Sequence, residues 1–113
     1  MKVAMSVQDE HPQAPVDERF GRCRYFAIAD TETGEIVFVP NDAVDDKGAG
    51  VKAARILLKQ NVDAVIVGNI GPKAFEILNR ARIPVYAGLT GTTQESLELF
   101  KQGKLSKLAV ANN

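Results

Sequence analysis

Three guanidiniums surround a thiol in Arg19-Phe20-Gly21-Arg22-Cys23-Arg24. Arginine presents planar pairs of N–H donors that suit oxyanions and other anionic groups. Adjacent positive charge also lowers a thiol's pKa and favours the thiolate, the form that ligates metal or attacks electrophiles. Cys23 therefore reads two ways. It is a candidate metal ligand, or it is a half-buried residue of a solvated loop, since free cysteine often serves as a small core hydrophobe.

A second segment, Gly68-Asn69-Ile70-Gly71-Pro72, combines glycines that let backbone approach a ligand with a proline suited to the first position of a helix. Taken alone this is ordinary strand-to-helix turn chemistry. It lacks the third glycine of a dinucleotide fingerprint and the lysine of a phosphate loop. In Asp45-Asp46-Lys47-Gly48-Ala49-Gly50 the paired carboxylates could hold a metal, but capping a helix is the preferred reading. Gly88-Leu89-Thr90-Gly91-Thr92 reads as a turn and cap first and as a pocket-lining loop second. His11 is the single histidine and falls in a polar stretch, as an exposed bystander would. One His and one Cys do not make a zinc set.

Hydrophobic patterning supplies the elements that must position these loops. Residues 2–7, 25–30 and 35–39 read as strands, the last two joined by the hairpin turn Thr31-Glu32-Thr33-Gly34. Residues 50–60 read as a helix whose apolar face carries Val51, Ala54 and Leu58, with Ile56 and Leu57 beside them. The run 63–67 is almost wholly apolar, as a strand covered on both faces should be. A helix opens at Gly71-Pro72 and buries Ala74, Phe75, Leu78 and Ala81. Residues 84–87 make the fifth strand. Thr92 and Glu95 have capping-box spacing at the start of a helix that turns Leu97 and Phe100 inward and ends at Gly103. Residues 104–113 carry no clear pattern.

The order is βββαβαβα, an α/β class with a five-stranded mixed sheet and three helices. Right-handed crossovers give the strand order 3-2-1-4-5 with the first strand central. Following chain direction, residues 8–24, 40–49, 68–71 and 88–91 then all lie at one edge of the sheet. A ligand crevice is expected where connections diverge beside the central strand. Helix starts near Gly48, Gly71 and Thr92 would aim backbone N–H groups there, which favours an anion.

The bulk numbers agree with a folded α/β protein. The 113 residues, 45% hydrophobic and 25% charged, suit one domain spanning 1–113. Fourteen basic and fourteen acidic residues leave a formal charge of zero, so any preference for anions must be local. No apolar run approaches the roughly 20 residues that cross a bilayer, and no signal-peptide layout opens the chain. With one cysteine there is no internal disulfide, and a reducing cytoplasm is the expected compartment.

Glu18-Arg19-Phe20-Gly21-Arg22-Cys23, followed by Tyr25-Phe26 and by Gly68-Asn69-Ile70-Gly71-Pro72-Lys73-Ala74, resembles the dinitrogenase iron–molybdenum cofactor biosynthesis domain family. The resemblance runs nearly end to end. It implies a ribonuclease-H-like fold and a non-enzymatic carrier that binds an iron–sulfur or iron–molybdenum cluster or precursor as cargo. Cofactor-assembly proteins would be its partners; neither nucleic acid nor membrane is expected, and the oligomeric state is left open. Carried over by position, the ligand loop is Phe20, Gly21, Arg22 and Cys23, and the second motif is Gly68, Asn69, Gly71 and Pro72. Arg19 and Lys47, the latter before Gly48, stand where relatives commonly have histidine. Each departure exchanges a metal ligand for a fixed cation.

Two other function classes bear on the same loops. Hydrolysis of nucleic acid or phosphate esters needs carboxylates clustered at strand ends to hold paired divalent ions. The first strand has no internal acid, and Asp63 falls at the wrong end of its strand. A regulatory or interaction module would use the same pocket for a small anion or a partner protein.

Overall fold

The computed structural model describes residues 1–42 and 47–113. Asp45 and Asp46, proposed above as helix caps, lie outside the described residues. The strands are β1 (Lys2–Val7), β2 (Tyr25–Asp30), β3 (Ile36–Pro40), β4 (Ala64–Val67), β5 (Val85–Ala87) and β6 (Ser106–Lys107). The helices are α1 (Ala49–Lys59), α2 (Pro72–Arg80) and α3 (Thr93–Lys101), with a short 3-10 turn over Phe20–Arg22.

The sheet has six strands in the order β3-β2-β1-β4-β5-β6, where five were expected. Strands 1 to 5 take the expected order, with β1 antiparallel to β2 and parallel to β4. The additional strand comes from the unpatterned tail. Ser106 and Lys107 pair antiparallel with Ala87 and Tyr86 through backbone alone. Two exposed polar residues carry no alternation to betray a strand.

Both faces of the sheet are covered, which explains why β1 and β4 are almost continuously apolar. Ala4, Phe26, Val65 and Val67 pack with Ala53, Ala54 and Leu57 of α1 and with Phe75 and Leu78 of α2. Val3, Met5, Val7, Ala27 and Ile66 form the opposite core, with Leu97 of α3 fully engaged and Phe100 at its margin. The buried face of α1 is centred on Ala53, Ala54 and Leu57, while Val51 and Leu58 are only partly covered. Ala81, expected inside, is the exposed residue that ends α2. The Thr92–Glu95 capping box is present: Glu95 N–H donates to Thr92 Oγ1, and Thr92 N–H donates to Glu95 Oε1, each at 3.2 Å.

Candidate functional site

Because β1 and β4 run parallel, the loops that follow them emerge at the same edge. Two close backbone approaches lock those loops together. A Cβ on Gly21 would lie 2.6 Å from the Gly50 nitrogen and 2.8 Å from the Gly50 Cα, so the first loop rests directly on the start of α1. A Cβ on Gly68 would lie 2.7 Å from the Glu18 Cα and 2.9 Å from the Glu18 carbonyl oxygen. Here Asn69 N–H donates to Glu18 O at 2.7 Å, and Phe20 N–H donates to Asn69 O at 3.3 Å. The two motifs are thus joined by a short parallel bridge between Arg19 and Asn69. Phe20 is buried beneath the loop, its ring centroid 5.5 Å from that of Phe26.

The result is a cleft of about 540 Å³. Of the candidate residues, Arg19, Phe20, Gly21, Arg22, Gly48, Asn69 and Gly71 line it. Cys23, Lys47 and Gly68 do not. Lys47 is exposed, and Gly68 serves the backbone approach to Glu18. Lys73 adds a cation from the first turn of α2. The starts of α1 and α2 both border the cleft, and the first N–H groups of a helix have no partner within it. Anions are favoured at such ends.

A further expected contributor is absent from the lining. The 88–91 loop and the start of α3 were expected to face the same crevice. Instead Val16 N–H donates to Gly91 O at 3.0 Å, and Thr93 N–H donates to Ala14 O at 3.1 Å. The segment from Ala14 to Val16 occupies that helix start because α3 packs on the opposite face of the sheet from α1 and α2. The turn-and-cap reading of Gly88–Thr92 is the one the contacts satisfy.

Of the two readings of Cys23, the core one matches its surroundings. Its residue surface is fully buried, and its thiol lies 3.5 Å from the Phe20 carbonyl oxygen, to which it donates. Burial, with the nearby Asp17 charge adding to it, pushes the thiol from 9.0 up to about 12. The arginines were expected to do the reverse, but Arg22 and Arg24 extend into solvent while the sulfur points into the core. Desolvation disfavours a thiolate there. This has a measurable consequence. Above pH 9.0 an unfolded thiol loses its proton while the folded one keeps it until about 12, so this contribution is complete below 9.0 and disappears across that window. Urea unfolding near pH 8 and pH 10.5 should show Cys23→Ala losing less stability than the parent, by at most about 1.4 kcal/mol per pH unit. Identical alkaline losses in the two proteins would refute the buried-thiol assignment.

Further residues at the site carried no motif in the sequence. Asn41, 3% exposed, uses its amide to donate to the carbonyl oxygens of Gly21 (3.1 Å) and Cys23 (2.9 Å), closing the arginine loop from below. Asn112 Nδ2 donates to Gly68 O, and its Oδ1 accepts from Ile70 N–H, each at 2.9 Å. The tail thereby folds over the second glycine loop, and Asn113 joins the cleft lining. Asp17 pairs with Arg19, whose guanidinium it holds above the ordinary value, first through the side-chain hydrogen bond and then through charge. A lone Asn or Asp in a loop has no periodicity to mark it.

The fold and the cleft define the class: a small α/β protein with cations and two helix starts gathered beyond the carboxyl ends of its central parallel strands. The chain belongs to the dinitrogenase iron-molybdenum cofactor family, which matches residues 1–103. An uncharacterised protein of Methanocaldococcus jannaschii is 35% identical over 111 residues, spanning 95% of this chain and 91% of that one. The apo form of the orange protein from Desulfovibrio gigas superposes with a TM-score of 0.95 at 31% identity, over 99% of this chain and 96% of its own. A Thermotoga protein provisionally called NifB superposes at 0.86 with 35% identity, over 99% and 97% of the two chains.

Proposed function

We propose that this protein is a non-enzymatic carrier that binds an anionic iron–sulfur or iron–molybdenum cluster, or its precursor, as cargo in the cleft. The observation that carries the reading is the convergence of Arg19, Arg22, Lys73 and the starts of α1 and α2 on one cavity. Family membership and likeness to an orange protein described as an apo form support it. The donors are N–H groups, and among the described residues no three His, Cys, Asp or Glu side chains gather to hold a metal ion. With Cys23 buried, the cargo is held by hydrogen bonds and charge to its own anionic atoms, without a protein–metal bond. Cofactor-assembly proteins would deliver and receive it, in a reducing cytoplasm.

The ribonuclease-H-like class belongs to this reading, but two-ion hydrolysis does not. Asp63 lies at the opposite end of β4, where its Oδ2 accepts from Lys2 N–H at 2.8 Å. A second reading, a regulatory module for a small anion, draws on the same cations and on the inaccessible thiol.

Anaerobic titration with a soluble tetranuclear iron–sulfur thiolate cluster, followed by visible spectroscopy, separates the two. Binding by the parent, retained in Cys23→Ala, is the expected result. No binding, together with thermal stabilisation by inorganic phosphate or a nucleotide, would transfer the site to the second reading.

A further inference from the structure

Asp17 sits two residues before the cleft loop and is nearly enclosed, its side chain 9% exposed against 69% for Arg19. Its own position is fixed from the central strand. Asp17 N–H donates to Ser6 O, and Ser6 Oγ donates to Asp17 O, each at 2.9 Å. Ser6 is itself buried near the carboxyl end of β1. From this platform the carboxylate accepts three bonds from one residue. Oδ1 takes Arg19 N–H at 2.9 Å and Arg19 Nε–H at 3.1 Å, and Oδ2 takes an Nη2 proton at 3.1 Å. A side-on pairing of this kind uses one edge of the guanidinium and leaves the remaining N–H groups directed away from the carboxylate. Arg19 borders two spaces at once: the main cleft, and a neighbouring one of about 270 Å³ that Arg22 also borders.

We infer that Asp17 is a positioning residue for this site, holding the Arg19 guanidinium side-on so that a fixed cation forms the wall between the two clefts. The inference rests on the anion-binding reading above. It departs from simple charge counting, which makes a carboxylate beside an anion site purely unfavourable. A long arginine side chain loses rotamer freedom when it engages a ligand; one already held by Asp17 has given up that freedom on folding.

The discriminating variant is Asp17→Asn. Asparagine keeps an Oδ1 acceptor for Arg19 N–H, preserving the local turn, while removing the charge that fixes the guanidinium. The chain gains one unit of positive charge, so screening alone predicts tighter binding of the tetranuclear cluster. Positioning predicts the opposite, a loss of roughly two- to tenfold, the cost of ordering one flexible side chain. In an Arg19→Lys background, which keeps charge without the planar fork, Asp17→Asn should cause no further loss of affinity. A direct readout on the parent protein keeps the test independent of variant folding. The Arg19 Nε–H should relax like rigid backbone, with an order parameter near ~0.85. Binding unchanged or tightened in Asp17→Asn, a loss of affinity that persists beside Arg19→Lys, or an Arg19 order parameter below ~0.6, overturns the inference alone. Failure of the parent to bind the cluster overturns the anion reading and this inference together.

Discussion

Replacing Arg19 and Arg22 together by alanine should weaken binding of the iron–sulfur thiolate cluster on the order of a hundredfold, roughly tenfold for each guanidinium. Both side chains border the cleft, and guanidinium groups suit the anionic atoms of such a cargo. Lys73 and the two helix starts remain, so a residual, weaker association should persist. The parent protein's affinity should fall as salt rises, since these cations are solvent-facing and screened over about 10 Å at 0.1 M. The double variant should show a shallower salt dependence, because it has fewer charges to screen. Anaerobic titrations at two ionic strengths measure both quantities. Affinity unchanged in the double variant would remove the cations from the mechanism. An unchanged salt slope alongside a large loss would point to packing in place of charge.

The largest stability effect is expected at Gly21, and its reason is steric. A methyl group there would press to 2.6 Å of the Gly50 nitrogen and 3.0 Å of the Ala49 carbonyl carbon, all of it helix backbone with no side chain to move aside. Gly21→Ala should therefore cost about 2 kcal/mol, lowering the melting temperature by roughly 10 °C, or lift the arginine loop from α1. Gly71 is the internal control. It lines the same cleft, yet a Cβ there meets nothing within 4 Å, and its φ of −77° suits any residue. Gly71→Ala should leave thermal stability nearly unchanged. Equal melting temperatures for the two variants would show that the contact between loop and helix does not organise the site. Cluster affinity should fall with Gly21→Ala even where the variant is folded, because the loop that carries Arg19 and Arg22 loses its seat.

Much of this architecture was legible in residue pattern. Alternation and near-continuous apolar runs marked β1, β2 and β4, because strands covered on both faces have no polar side to present. Chain direction and crossover handedness then placed the Arg19 loop beside the Asn69 loop. β6 was not legible, since a two-residue strand is defined by its partner's backbone. The start of α3 was legible as a capped helix but not as one closed off by Ala14 and Val16, a contact that depends on which face of the sheet the helix takes.

Residue types and their order determined the class of fold, the strands that meet at the centre and the two loops that come together. These follow from periodicity and short-range turn chemistry, which act between near neighbours. Tertiary structure alone decided that Cys23 points inward, because burial depends on what Phe20, Phe26 and Asn41 do around it. It also decided that Asp17 grips Arg19 from a seat on Ser6, eleven residues away, and that Asn112 clasps the Gly68–Ile70 backbone from more than forty. Such contacts are a few hydrogen bonds between particular side chains and backbone brought together by the fold. They leave no repeat in the chain and exist only once the sheet has brought their partners within reach.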